Sequence, residues 1–331
     1  MPKKILITGV AGFIGMHLAK KLSAHKDIEI VGIDNFNGIN GEALPNLRIK
    51  FLADSENVSI INFDLSKDIS KLPKQLTSGV DTVFHLAALP GVKGGELNFH
   101  RYYRQNISMF GNILELVHEI SPEKFLFASS SSVYGQIARG ENLTEDKADG
   151  NNLKSFYATT KWTNEILAKQ FCRLTGIVTV PLRFFTVFGI FGRPDMAYWK
   201  FTKLLLEDKS IEFWGENGGS RNFTYIEDLI QILQKLLNSP FSGYTPLNIA
   251  SKNAVYTKDM CDLLATALKK PSYKYHFVKR PNFDLGNINA SVEKVESLIG
   301  KITETSFSLA IREFADWYVG FKKEHYENSN W

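Results

Sequence analysis

The segment Ile5-Leu6-Ile7-Thr8-Gly9-Val10-Ala11-Gly12-Phe13-Ile14-Gly15 decides the fold of this chain. A short apolar strand runs directly into a glycine-rich turn, and an amphipathic helix to about Ser23 follows the turn. Glycines spaced Gly-x-x-Gly-x-x-Gly let backbone amides approach a pyrophosphate at the N-terminus of a helix. Because a strand precedes the turn and a helix follows it, we predict that Gly9, Gly12, Phe13, Ile14 and Gly15 bind a dinucleotide.

The next apolar strand, Ile28 to Ile33, ends in an acid at Asp34. An acid at about this offset from the glycines binds the ribose hydroxyls of adenosine, and its charge repels a 2′-phosphate. We therefore predict NAD rather than NADP, with Asp34 and Asn35 among the cofactor contacts. The alternative is an ordinary loop acid before a turn, which is less favoured because the upstream pattern predicts the position.

Further strands follow at intervals typical of a parallel sheet. The predicted strands are Val58 to Phe63, Val80 to Leu86 and Lys124 to Ser129. A polar loop is predicted from Asn35 to Leu52, and a long helix at 98–120. Alternation of strands and helices predicts an α/β fold with a doubly wound parallel sheet, in which ligands bind beyond the carboxyl ends of the strands. The predicted cofactor contacts at two of these ends are Asp64, Leu65, Leu86, Ala87 and Ala88.

Composition limits the possible functions. The chain has 331 residues, 44% hydrophobic and 22% charged, with a net charge of +4. Its basic residues are scattered, which argues against a nucleic-acid partner, and no apolar run reaches the length of a membrane span. Cys172 and Cys261 show no metal-type spacing, so we expect free thiols, no metal and a reducing cytoplasm.

Tyr157 and Lys161 lie four residues apart in the amphipathic segment Ser155 to Thr175, where Ile166, Leu167, Phe171 and Leu174 have helical spacing. A nearby ammonium favours a phenolate and lowers the pKa of a tyrosine. Tyr157 could then take a proton from a sugar hydroxyl while a hydride leaves the same carbon. Taken alone the pair is better read as a half-buried tyrosine and a surface lysine; its neighbours in the sequence favour the chemical interpretation.

Four motifs together resemble the extended short-chain dehydrogenase/reductases, which act mostly on nucleotide-activated sugars. They are Gly9-x-x-Gly12-x-x-Gly15, Asp34, the serine run before Val133-Tyr134-Gly135, and Tyr157-x-x-x-Lys161. The stretches from Arg183 to Gly189 and from Gly192 to Ala197 resemble the UDP-glucuronate 4-epimerases. The resemblance implies a Rossmann domain at 1–180, a smaller C-terminal α/β substrate domain at 181–331, and a homodimer built from helices 98–120 and 155–175.

The resemblance also implies roles for individual residues. Tyr157, helped by Ser130, would remove the 4-hydroxyl proton while hydride passes to NAD, and Lys161 would also bind the nicotinamide ribose. A 4-keto uronic acid can lose carbon dioxide, so its carboxylate must be held; Ser131, Ser132, Thr186 and Arg193 are suited to this, although the two serines could equally be polar filler. The implied contacts with the nucleotide are Arg221 and Arg280 at the phosphates and Asp284 at the ribose.

Some residues depart from the family pattern and leave the sugar open. The loop Gly91-Val92-Lys93-Gly94-Gly95 replaces the usual sequence, and Ile190-Phe191 stands where the family has Pro-Trp. The alternatives are an epimerase for another nucleotide sugar, a net oxidoreductase, or a non-enzymatic NAD-binding scaffold. Phe213 and Trp214 could line a uracil site, although core packing explains them as well.

Overall fold

The computed structural model describes residues 2–38, 43–91, 98–136 and 142–325 of the chain. In these ranges the strands are β1 (Lys3–Thr8), β2 (Ile28–Asp34), β3 (Val58–Asn62), β4 (Thr82–His85), β5 (Lys124–Ser130), β6 (Asn142–Leu143), β7 (Val178–Phe184), β8 (Thr186–Phe188), β9 (Ile211–Trp214), β10 (Ser220–Arg221), β11 (Phe223–Tyr225), β12 (Leu247–Ile249), β13 (Val255–Tyr256), β14 (Tyr275–Val278) and β15 (Asn289–Ala290).

The helices of the same ranges are α1 (Phe13–Ser23), α2 (Ala43–Lys50), α3 (Lys74–Thr77), α4 (Phe99–Tyr102), α5 (Met109–Ile120), α6 (Phe156–Thr175), α7 (Ala197–Leu206), α8 (Ile226–Leu236), α9 (Thr257–Ala267), α10 (Glu293–Ile299) and α11 (Phe307–His325). A π-helical segment, Tyr103–Ser108, joins α4 to α5, so the helix predicted at 98–120 is continuous but locally widened.

Seven parallel strands form the main sheet in the order β12-β7-β5-β4-β1-β2-β3. All four residues of β4 are buried, as expected for a strand covered by helices on both faces. Two hydrophobic cores flank the sheet, one containing residues of α1 and α8 and the other residues of α5. The predicted doubly wound sheet is therefore confirmed, and its order reverses between β1 and β4, where a crevice opens at the carboxyl ends.

The loop predicted from Asn35 to Leu52 is partly wrong, because α2 lies within it. Its sequence has little helical periodicity, and Pro45 falls in the first turn, where proline is tolerated. Leu44 and Leu52 are buried in the core next to α1, so tertiary packing stabilises a helix that the local pattern does not indicate.

The C-terminal region supplies a smaller α/β layer over the crevice. Its short strands form the pairs β8–β11, β9–β14, β10–β13 and β6–β15. β12 returns from this region to pair with β7, so the chain crosses between the two parts. The domain boundary at residue 180 stays a prediction; in the structure residue 180 lies inside β7.

Candidate active site

A cavity of about 640 Å³ lies where the carboxyl ends of β1, β4 and β5 face the C-terminal layer. It is lined at one end by the glycine-rich turn and at the other by Trp214, Arg221 and Phe283, with the Tyr157 helix between them. The predicted site residues in its wall are Gly9, Gly12, Phe13, Ile14, Gly15, Leu86, Ala88, Ser130, Ser131, Ser132, Tyr157, Lys161, Thr186, Arg193, Arg221 and Asp284.

Helix α6 presents Tyr157 and Lys161 to this cavity. The hydroxyl of Ser155 caps the helix by accepting a hydrogen bond from the Ala158 amide at 3.1 Å. Lys161 Nζ lies 5.9 Å from the centre of the Tyr157 ring and donates to the carbonyl of Ala128 in β5 at 2.7 Å. The two side chains therefore share one face of the helix, as the four-residue spacing predicts.

The buried face of α6 carries polar and small side chains, contrary to the apolar stripe read from the sequence. Lys161 and Glu165 are only 3% and 2% exposed, whereas Ile166 is 55% and Leu174 76% exposed. Polar residues are buried here because they hydrogen-bond within the site, and the apolar residues are left on the outer face. Phe171 alone of the predicted stripe packs against a core.

Burial raises the pKa of Tyr157, while a hydrogen bond with Ser130 and the positive charge of Arg193 lower it. In the chain by itself burial outweighs these lowering effects, and the expectation that Lys161 lowers the pKa of this phenol stays a prediction. Burial lowers the pKa of Lys161 to about 8, against the opposing effect of Glu165.

Ser130 ends β5 and organises the serine run. Its Oγ accepts hydrogen bonds from the amide and the hydroxyl of Ser132, at 3.2 and 2.9 Å. The turn Ser131–Tyr134 that follows brings Ser131 and Ser132 into the cavity wall beside Tyr157. Since Ser130 accepts from Ser132, its own hydroxyl hydrogen is available to the phenol oxygen.

The glycine-rich turn leaves no room for side chains at Gly9 and Gly15. Gly9 has φ +74°, and a Cβ there would lie 2.7 Å from the Ala87 amide nitrogen. A Cβ at Gly15 would overlap the carbonyl oxygen of Gly9. The first turn of α1 has neither a side-chain cap nor an acidic residue, so its amides and its dipole suit a pyrophosphate, and the residues present fit a dinucleotide.

Asp34 ends β2 next to that turn, outside the cavity wall. Its two oxygens accept hydrogen bonds from the amides of Ala11 at 2.9 Å and Phe36 at 2.8 Å. Asn35 and Asp64 likewise bond locally, to the amide of Asn37 and to Ser66. The predicted cofactor contacts through Asp34, Asn35, Asp64 and the buried Leu65 stay predictions.

Arg193 lies in the cavity wall, where its charge acts on Tyr157. Its Nε and Nη2 donate to the two carboxylate oxygens of Asp195 at 3.0 and 2.6 Å. A Cβ at Gly91 would lie 3.2 Å from Arg193 Nη2, so the backbone of residue 91 packs directly against the guanidinium. The Tyr102 hydroxyl holds this backbone by donating to the Gly91 carbonyl at 2.7 Å. Residues 92–97, including Lys93, lie outside the described residues.

Sequence reasoning missed Arg48, which ties two parts of the site together. It is buried on α2 and donates to the carbonyls of Ala11, Phe191 and Gly192. Burial lowers the pKa of this guanidinium to about 10. Because Ala11 belongs to the glycine-rich turn and Gly192 precedes Arg193, Arg48 fixes the glycine-rich turn relative to the segment that carries Arg193. Its position inside a predicted loop gave no signal of this role.

At the end of the cavity away from the glycine-rich turn, Asp284 pairs with two arginines. Its oxygens accept from Arg221 Nη2 and Arg280 Nη1, each at 2.6 Å. Burial by itself raises the pKa of Asp284, but the charge of Arg221 and the hydrogen bonds from Arg221, Arg280 and the Gly286 amide together outweigh burial, and the pKa is lowered. Arg280 lies behind the cavity wall rather than in it, so its phosphate contact stays a prediction. Trp214 and Phe283 pack edge to face, 5.6 Å apart.

Comparisons with known proteins agree with this geometry. Residues 5–250 match the model of the NAD dependent epimerase/dehydratase family. The chain belongs to this family. The predicted resemblance and the NAD-dependent enzyme class are thereby confirmed. Among the described residues, no group of three or more His, Cys, Asp or Glu side chains is placed to hold a metal ion.

Three relatives show how far the similarity extends. UDP-glucuronate 4-epimerase 2 of Arabidopsis thaliana is 33% identical over 97% of this chain and 76% of its own length. The crystal structure of UDP-glucuronic acid 4-epimerase from Bacillus cereus with UDP-glucuronic acid and NAD has a TM-score of 0.88 and 32% identity, covering 96% of this chain and 99% of that one. A UDP-N-acetylglucosamine 4-epimerase from Methanobrevibacter ruminantium has a TM-score of 0.84 and 26% identity, covering 96% and 99%.

The described helices include none long and apolar enough to cross a membrane. Cys172 and Cys261 are both free and buried. The cytoplasmic location expected from the sequence stays a prediction.

Proposed function

We propose that this protein is an NAD-dependent UDP-sugar 4-epimerase that interconverts UDP-glucuronate and UDP-galacturonate. The observation that carries the proposal is one cavity wall holding Tyr157, the serine run and Arg193. A phenol and a hydroxyl suit proton transfer at a sugar C4, and hydroxyls with a guanidinium suit a carboxylate at the neighbouring ring position. Relatives with the same overall fold act on UDP-sugars, one of them on UDP-glucuronic acid.

NAD, when bound, would supply a nicotinamide ring able to take up the C4 hydride and give it back. Tyr157 takes the 4-hydroxyl proton, and Ser130 holds the phenol oxygen by the interaction that lowers its pKa. Arg193 adds positive charge beside the phenol and so favours its deprotonated form. Lys161, anchored to the carbonyl of Ala128, keeps a donor at the nicotinamide end of the site.

A 4-keto uronate is a β-keto acid, and the site must prevent its decarboxylation. Ser131, Ser132, Thr186 and Arg193 hold the carboxylate so that the bond to carbon dioxide does not align with the carbonyl π system. None of the three serine positions carries an acid, so elimination of a leaving group is not assisted. Simple inversion at C4 is the outcome that this wall favours.

Incubating the protein and NAD with UDP-glucuronate, and separating the products by anion-exchange chromatography, tests the proposal. We expect UDP-galacturonate to accumulate to an equilibrium mixture without net NADH. UDP-glucose and UDP-N-acetylglucosamine are run in parallel, because preferred conversion of either would reject the substrate, and net NADH would reject epimerisation. Tyr157→Phe should abolish turnover, whereas Tyr256→Phe, the same change at an exposed tyrosine, should not.

We further propose a homodimer formed by α6 and by the continuous helix that runs from α4 through the π-helical segment to α5. Their outer faces expose Phe99, Tyr103, Ile166 and Leu174, each more than half in solvent. An apolar face of this kind on a soluble chain is typical of an interface between subunits. Sedimentation analysis should show a dimer that Ile166→Lys converts to a monomer while Phe277→Lys, on β14, does not; a monomeric wild-type protein would reject the dimer.

A further inference from the structure

The two ends of the cavity differ in how their arginines are neutralised. At the nucleotide end one carboxylate, Asp284, serves both Arg221 and Arg280, which leaves an excess positive charge for a diphosphate. At the sugar end Arg193 has its own carboxylate, Asp195, and the pair is formally neutral. The cavity therefore attracts phosphate strongly and a sugar carboxylate only weakly.

Asp195 covers one edge of the guanidinium and leaves the other open. It binds Arg193 Nε and Nη2, while Nη1 donates to no acceptor among the described residues. The backbone amide of Arg193 donates to the Tyr198 hydroxyl at 3.0 Å, which fixes where the side chain begins. A substrate carboxylate at the open edge would thus share Arg193 with Asp195.

Two carboxylates on one guanidinium repel each other, and the repulsion is strong where water is largely excluded. The side chains of Arg193 and Asp195 are only 25% and 30% exposed, so screening by solvent is limited. Lys200 lies in the cavity wall, and its positive charge lowers the pKa of Asp195. Because Lys200 is exposed, solvent screens its charge more than that of Arg193. Asp195 should therefore weaken the binding of a carboxylate by Arg193.

We propose that Asp195 limits how tightly Arg193 binds an acidic sugar. The sugar can then leave Arg193, rotate and bind again with its other face towards the cofactor. The inference rests on the proposed function, because a 4-keto sugar must present both faces while its nucleotide stays bound. An arginine without a carboxylate partner would bind the sugar carboxylate more tightly and would slow the rotation of the sugar. Asp195 thus lowers the affinity for the acidic sugar and raises kcat.

The test compares Asp195→Asn with wild type, using calorimetric Kd values for UDP-glucuronate and UDP-glucose and kcat for UDP-glucuronate. Asparagine keeps an oxygen that accepts from Arg193 Nε but removes the charge. We expect the Kd for UDP-glucuronate to fall about tenfold, equivalent to about 1.4 kcal/mol, with the Kd for UDP-glucose within about twofold of wild type. The kcat for UDP-glucuronate should fall several-fold.

Two further variants separate charge from shape. Asp195→Glu keeps the charge and should retain the wild-type ratio of the two Kd values. Asp208→Asn removes a carboxylate paired with Lys270 on the surface and should change neither Kd. Equal weakening of both ligands by Asp195→Asn would show a merely structural role and overturn the inference, as would unchanged binding.

Failure of the inference can be told from failure of the proposed function. If wild type converts UDP-glucuronate and Asp195→Asn leaves its Kd unchanged, only the inference fails. If wild type does not convert UDP-glucuronate, yet Asp195→Asn binds it more tightly than wild type does, the proposed substrate fails and the electrostatic role of Asp195 stands.

Discussion

Removing Glu165 should destabilise the fold more than most single substitutions do. Glu165 lies on α6, eight residues beyond Tyr157, and is 2% exposed. Its carboxylate accepts hydrogen bonds from Ser129 Oγ at 2.5 Å, from Arg183 Nε and Nη2 at 3.0 and 2.8 Å, and from the Tyr244 hydroxyl at 3.3 Å. It therefore joins α6 to β5 and β7, directly behind the serine run.

The magnitude follows from the charge left behind. Breaking a buried ion pair by removing one partner costs about 3–5 kcal/mol, because the other charge stays buried without compensation. In Glu165→Ala the guanidinium of Arg183 keeps its bonds to the Tyr134 hydroxyl at 3.1 Å and the Glu145 carbonyl at 2.7 Å. These remaining acceptors place the expected cost near the lower limit, about 3 kcal/mol.

Equilibrium urea unfolding measures this cost. Glu165→Ala, Arg183→Met and the double variant form a cycle, in which the double variant should be more stable than the sum of the single losses predicts. Glu119→Ala is the matched control, since Glu119 pairs with Lys74 on the surface and its loss should cost about 0–1 kcal/mol. A Glu165→Ala protein as stable as Glu119→Ala, or additive losses in the cycle, would refute the reasoning.

Three further predictions concern other parts of the site. Burial lowers the pKa of His85 to about 3, so the unfolded chain binds a proton that the native chain does not between pH 6.5 and 3. As the pH falls through this window, His85 should lower the free energy of unfolding by about 1.4 kcal/mol per pH unit. In urea titrations His85→Gln should remove this contribution from the total slope, and an unchanged slope contradicts the assignment. Gly15→Ala should weaken NADH binding at least about tenfold in fluorescence titrations, because the methyl overlaps the turn, whereas Gly320→Ala, in open space on α11, should bind normally; equal binding contradicts the fit. Tyr102→Phe frees the backbone of Gly91 and should raise KM several-fold with little change in kcat, and steady-state rates with an unchanged KM would contradict its role as an anchor.

The sequence is sufficient to predict the sheet and the position of Tyr157, because both depend on local patterns. The glycine-rich turn follows from short-range spacing, and a four-residue separation places Lys161 on the same face as Tyr157. The orientation of α6 could not be predicted in this way. Its apolar residues face outward because the polar residues of the opposite face have partners on distant strands, such as Arg183 for Glu165.

Features that depend on long-range packing could not be predicted from local sequence patterns. Arg48 acquires its role from carbonyls 37 and 143 residues away. The raised pKa of Tyr157 results from burial, which no local spacing reports. Asp195 lies in the quoted Gly192 to Ala197 motif, but only the structure shows that its charge opposes the arginine two residues before it.

The most direct test of the account uses UDP-glucuronate deuterated at C4. Because the C4 hydrogen is proposed to leave as hydride and return to the same carbon, UDP-galacturonate formed in ordinary water should retain the deuterium, as mass spectrometry and proton NMR of the product can show. Product that has exchanged this label for solvent hydrogen, or no product with active-site residues intact, would contradict the central claim.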